Sequence, residues 1–302
     1  LLALLVAVGV VGALHQSATK TIVGVLVGPD DLASAISLNS VIFNLAGFIG
    51  PALAGLAIAW GGVGAGFAVA AAASLLFLPT LRALPATPAA AADGSSWRQL
   101  IDGARYTFGE PLIRRLLLLH IASATLARPF MDFLPALATL LFNGGATQAA
   151  ALTSASGAGA VAGGLWLAQR APDRSLLPVL LQAMAALALL LIALAWVPWF
   201  ALSVVLAAAA GFCMITRAAA MQTLIQAVAR PEMRGRAVSF YALILNAGSI
   251  VGALAIGALA EGLGLSWALT LAVSAALLAW AVLKGPLQRT AALHPATRGA
   301  PA

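Results

Sequence analysis

Charge is what this sequence has least of: 8% of its 302 residues are Asp, Glu, Lys or Arg, against roughly 25% in soluble domains. A soluble fold of this length would have too few charges to cover its surface, so the chain belongs in a membrane. It has a single cysteine, Cys213, which excludes an internal disulfide and reads as a small buried apolar residue. Its three histidines are scattered. With one cysteine they form no metal cluster and no nucleophile–base arrangement, so neither a metal nor an enzymatic activity is expected. No Gly-rich phosphate loop ending in Lys and Ser or Thr is present, which excludes direct binding and hydrolysis of ATP; no cofactor is implied. The chain opens on Leu1 without Met and without a basic segment ahead of a cleavage site. Its first apolar run is therefore not read as a signal peptide, and the amino terminus is expected to be truncated.

What the chain has in abundance is apolar sequence, 62% of all residues. About 20 apolar residues cross a hydrocarbon core as a helix. Nine such spans are expected, at about 1–27, 32–60, 64–83, 113–142, 148–169, 175–196, 199–228, 237–260 and 265–284. The formal charge of +7 would suggest nucleic acid in a soluble protein, but here the positions of the charges matter more than their sum. Arg82, Arg98, Arg105, Arg114, Arg115, Arg170, Arg174, Arg230, Arg234, Arg236, Lys284, Arg289 and Arg298 all fall on alternate connections. The remaining connections, near 61, 142, 195 and 261, contain neither Lys nor Arg. The positive-inside rule then places Leu1 outside and Ala302 in the cytoplasm. Trp166, Trp196, Trp199, Trp267 and Trp280 lie toward span ends, where interfacial anchors belong.

The chain also repeats itself. Asn44 to Gly62 reads NLAGFIGPALAGLAIAWGG, and 202 residues later the chain reads NAGSIVGALAIGALAEGLG, with Gly50, Gly55 and Gly62 opposite Gly252, Gly257 and Gly264. The offset extends upstream, pairing Thr21 with Thr223 and Pro29 with Pro231 without a gap. Matched spans run in the same direction, so the repeat is parallel. The longest connection, 84–112, joins a Pro/Ala-rich segment to WRQLIDGARYTFGEP, in which Trp97, Leu100, Ile101, Ala104 and Phe108 recur at helical spacing. That spacing predicts a short amphipathic helix on the inner membrane surface. Four segments follow: a partial first half (1–83), a cytoplasmic linker (84–112), a six-helix second half (113–284) and a cytoplasmic tail (285–302).

The sequence resembles the major facilitator superfamily of secondary transporters, and within it bacterial exporters of siderophores, macrolides and other drugs. The residues that carry the resemblance are GARYTFGEPLIRRLLLL, RPFMDFLPALA and QTLIQAVARPEMRGRAVSFYALILNAGSIVGALAIGALAEGLG. It implies an all-α membrane protein of two six-helix halves, of which nine of twelve helices are present, the family's fourth to twelfth. Gly47, Gly50, Pro51 and Gly55 are similar to the antiporter motif of the family's fifth helix, with Ala46 and Ala54 where the fuller pattern has glycine. Read physically, this stretch is either tight helix packing or a bend at Pro51 in a helix that rocks. Gly163, Gly164, Asp173 and Arg174 are a degraded match to a cytoplasmic gating motif, and equally a solvated turn. Arg234 and Arg236, in the turn from Arg230, set topology and are candidates for contact with Asp30 and Asp31.

Ionisable groups inside a bilayer cost about 2.5–3.5 kcal/mol even on insertion scales, and so mark functional positions. Those within spans are His15, Lys20, His120, Arg128, Asp132 and Arg217. Asp132 is the only acidic residue well inside a span, and Arg128 stands four residues before it, on the same helix face. Asp132 lies about 26 Å along its helix from Arg115, and Arg217 about 20 Å from Arg230. In the resembled fold their helices line the central cavity, so the two are expected to face each other there, with Arg128 and His15, the repeat partner of Arg217, nearby. Protonation of Asp132 would break its pairings and couple proton entry to export. His120 reads as a capping or interfacial group, and Lys20 as one that snorkels to the cytoplasm.

The expected function is export of a small amphiphilic molecule by proton antiport and alternating access, from a bacterial inner membrane. The expected partners are substrate, protons and lipid, without nucleic acid, for a monomeric protein. Uptake on the same fold and a non-transporting remnant are the alternatives.

Overall fold

A computed structural model of the chain describes residues 57, 64–80, 96–142, 145–169, 176–230 and 233–293. Every regular element among them is helical. The expected first span, and the second apart from Ala57, lie outside the described residues. Within the third, α1 (Gly64–Thr80) is apolar, with Phe67, Leu75 and Leu76 exposed. The linker's amphipathic segment folds as α2 (Ser96–Gly109). Then follow α3 (Pro111–Ala122), a break of two short turns, α4 (Leu134–Phe142), α5 (Ala146–Ala168), α6 (Leu176–Leu194), α7 (Phe200–Val228), α8 (Arg234–Leu263) and α9 (Leu265–Leu293).

Six of these segments, counting α3 to α4 as one, are long and apolar enough to cross a membrane. They coincide with the expected spans between 113 and 284. One boundary differs: α9 continues as helix to Leu293, through Pro286, where a tail was expected to begin at 285. Proline removes a backbone bond and crowds the preceding turn, and two neighbours secure the helix there. Arg115 Nη1 donates to the Pro286 carbonyl at 2.6 Å, and Thr290 Oγ1 donates to the same oxygen at 2.9 Å. The connection from α8 to α9 is one residue, Gly264, whose φ of 80° suits a residue without a Cβ.

Lipid is as apolar as leucine, so helices in a bilayer associate through close packing rather than hydrophobic exclusion. Helices α5 and α7 meet in this way. A Cβ on Gly159 would collide with the Ala208 carbonyl, and one on Gly211 with that of Ser156. Gly163, expected in a gating motif, faces Phe212 in the same contact. Its side-chain-free surface serves packing.

Two apolar clusters fill the six-helix unit. One joins Leu112, Leu116, Leu180, Met221, Tyr241 and Leu287; the other joins Phe130, Leu137, Leu191, Ala207, Ile256 and Leu269. Between them along the chain lies a thin polar layer: His120, Ser123, Thr216 and Arg217, all buried. The linker helix docks on this unit. Gly103 packs on Arg236, Phe108 meets Phe240 edge-on at 5.9 Å, and Tyr106 Oη accepts from the Arg230 backbone N–H at 2.8 Å.

Candidate functional site

The site begins with a proline. Pro129 has no N–H, so the Thr125 carbonyl four residues back loses its helical donor, and the ring crowds that carbonyl. The chain responds by widening and then tightening: Ser123–Ala127 is a π turn and Arg128–Phe133 a 3₁₀ turn. The Arg128 N–H reaches back five residues to the Ser123 carbonyl. Such turns concentrate at functional positions. The displaced strand of backbone rests on α8, where a Cβ on Gly252 would collide with the Thr125 carbonyl and stand 2.8 Å from Pro129 Cγ. Gly248, one turn earlier, lies against Ala124 and Thr125. Gly252 is one of the glycines shared by the internal repeat. Here it gives the broken helix somewhere to go.

Two polar groupings flank the break. On its exposed side Arg128 Nη1 donates to Asp132 Oδ1 at 2.9 Å, the pairing that their spacing predicts, and Ser249 Oγ on α8 donates to Asp132 Oδ2 at 3.3 Å. The Arg128 and Asp132 side chains are 32% and 50% exposed. Asn246 also stands exposed on α8, its amide donating to the Ala242 carbonyl at 2.8 Å. Each oxygen of Asp132 has a donor, and the carboxylate remains open to a proton or a ligand.

The second grouping faces inward. Arg217 on α7 is 2% exposed, and its Nη1 donates to Ser123 Oγ at 2.7 Å. Ser123 Oγ in turn donates to the His120 carbonyl at 3.2 Å. His120 is fully buried, stacked on Tyr241 with ring centroids 4.2 Å apart and an angle of 13°. Its Nε2 lies 3.2 Å from the Tyr241 carbonyl. A carbonyl only accepts, so Nε2 carries the proton in this contact and Nδ1, which has no partner, is the bare nitrogen.

Asp132 and Arg217, expected to face each other, are not bonded to one another: Asp132 is held by Arg128 and Ser249, Arg217 by Ser123. His120 corrects another expectation, since it is neither a cap nor an interfacial group but part of the core. Tyr241, absent from the sequence-derived candidates, completes this grouping; nothing in the sequence connects two residues 121 positions apart. Trp196, Trp199 and Trp267 are exposed as anchors should be. Trp280 is not one of them: it lies mid-helix, half-buried, with its Nε1 enclosed and unpartnered. His15, Lys20, Gly47, Gly50, Pro51, Gly55, Asp173 and Arg174 lie outside the described residues. Arg234 is exposed, and Arg236 Nη1 lies 3.6 Å from Met233 Sδ. Among the described residues no group of His, Cys, Asp and Glu is placed to hold a metal.

Among the described residues, six segments are long and apolar enough to cross a membrane, and one of them is broken around a paired carboxylate; the chain is a multi-pass membrane protein. The family profile described as transmembrane secretion effector matches residues 1–297. The chain belongs to that family, of the major facilitator type. No curated protein matches it.

Proposed function

We propose that the protein is a secondary active exporter of a small amphiphilic molecule, driven by proton antiport through alternating access in a bacterial inner membrane. The observation that carries this reading is the Arg128–Asp132–Ser249 grouping, a carboxylate at a helix break, inside a span, half open to its surroundings. Protonating Asp132 releases Arg128 and frees the 3₁₀ turn to shift against Gly252; deprotonation restores the pair. The proton thereby acts on a bistable segment of backbone, which is what coupling requires. His15 is proposed as a further polar group of the pathway. Gly47, Gly50, Pro51 and Gly55 are proposed as the packed, bending segment of an antiporter, with Asp173, Arg174, Arg234 and Arg236 as cytoplasmic gating and topology residues.

The test is Asp132→Asn in inside-out vesicles carrying an imposed proton gradient, read by uptake of a fluorescent drug. Gradient-driven transport should disappear while the protein remains in the membrane. Transport at the parental rate would sink the proposal, and transport only in right-side-out vesicles would reverse its direction.

A further inference from the structure

Beside the inward grouping is a pocket of about 20 Å³ lined by Ala127, Met184, Leu187, Arg217, Ala276 and Trp280, together with Ser123, Ala188 and Leu277. A volume of this order holds one water-sized species and little more, since a single water needs about 10–15 Å³. The chemistry of its wall is one-sided. Two lining residues carry buried N–H groups without a partner, Arg217 Nε and Trp280 Nε1. The Ser123 hydroxyl already accepts from Arg217 and donates to the His120 carbonyl. The other lining side chains are apolar, with the Met184 sulfur the only weak acceptor among them.

Charge points the same way. A guanidinium does not deprotonate in a protein, and a buried charge without compensation is among the costliest groups a fold can hold. Among the described residues Arg217 has no carboxylate partner, and Asp132 is taken by Arg128. The nearby charges are positive: Arg128 lies within electrostatic range of Arg217, and Lys284 Nζ stands 4.5 Å from the centre of the Trp280 ring. Water in such a pocket would satisfy two donors but leave its own hydrogens without acceptors and the guanidinium without a counter-charge. A small anion satisfies both.

We propose that this pocket binds a free inorganic monoanion of halide size, with chloride as the physiological occupant, held between the side-chain N–H groups of Arg217 and Trp280. The pocket's size separates this site from the anionic group of any bulky transported substrate. Bound there, the anion neutralises the polar layer and fixes α7 to α9 beside the helix break.

The test uses the full chain, purified and reconstituted, with chloride exchanged for gluconate at constant ionic strength. Chloride should raise the melting temperature saturably and broaden the ³⁵Cl resonance, and the larger bromide should bind more weakly. Trp280→Phe removes one N–H to a charged ligand and should raise the half-saturating chloride concentration about tenfold. Arg217→Met should abolish the chloride response; if that variant does not fold, Trp280→Phe decides alone. Equal melting temperatures in chloride and gluconate for the parent protein would mean that water fills the pocket. A chloride response unchanged in Trp280→Phe would place the ion elsewhere. Either result overturns the proposal.

Discussion

The two polar groupings on either side of the Pro129 break handle the same difficulty in opposite ways. Asp132 is held by an intrahelical cation and by a hydroxyl from α8, at a position half open to its surroundings. Arg217 is closed in, tied to one neutral hydroxyl and without an opposite charge among the described residues. A paired and accessible group can exchange a proton or a ligand within a transport cycle. A sealed group cannot do so readily. Under the proposed function, the exposed grouping couples and the inward one packs.

The largest effect should come from striking what both groupings share. Gly252→Val would place a branched side chain into the Thr125 carbonyl and Pro129. Overpacking of this kind costs about 3 kcal/mol, so both the melting temperature and transport should collapse. Gly257→Val on the same helix is the control, because among the described residues no side chain or other helix lies within 4 Å of its would-be Cβ; it should leave both measurements unchanged.

Next in size is a change confined to the exposed side. Arg128→Gln leaves Asp132 with Ser249 alone. Losing a charge-assisted bond of about 1.4 kcal/mol corresponds to a tenfold change, so gradient-driven efflux should fall by about that factor. The melting temperature should hardly move, since the pair is partly solvated. Equal losses of stability and efflux would show that the pair is structural.

The inward side should behave differently. Removing a buried charge that has no opposite partner also removes its desolvation cost. In chloride-free buffer Arg217→Met should therefore keep or raise the melting temperature and retain efflux within about threefold. Loss of efflux with an unchanged melting temperature would return Arg217 to the transport pathway and erase the contrast with Asp132.

That contrast was only half legible in the sequence. The six spans between 113 and 284 were readable because hydropathy reports burial in lipid, and hydropathy needs no knowledge of neighbours. Arg128 and Asp132 were readable as a pair because their contact is local. Arg217 was expected opposite Asp132 but is bonded to Ser123 instead, because depth does not fix the rotation of a helix about its axis. His120 meeting Tyr241, Arg115 reaching Pro286 and Gly252 receiving Thr125 all depend on how separate helices are turned. Pro129 was visible in the sequence, but the form of its break was not, since the π turn also requires the space that Gly252 leaves. The repeat marked Gly252 as shared architecture without saying what it touches.

The smallest expected effect is the most discriminating. Ser249→Ala removes the single bond that α8 makes to Asp132, at 3.3 Å, and leaves the ion pair intact. Interhelical hydrogen bonds in membranes average about 0.6 kcal/mol, so efflux should decline about threefold, with no resolvable change in melting temperature. Combining it with Arg128→Gln then asks whether the two donors act on one carboxylate. If both restrain the same proton-accepting group, their combined effect on efflux should depart from the product of the single effects. If the product holds, Ser249 serves only the packing of α8, and the exposed grouping reduces to its ion pair.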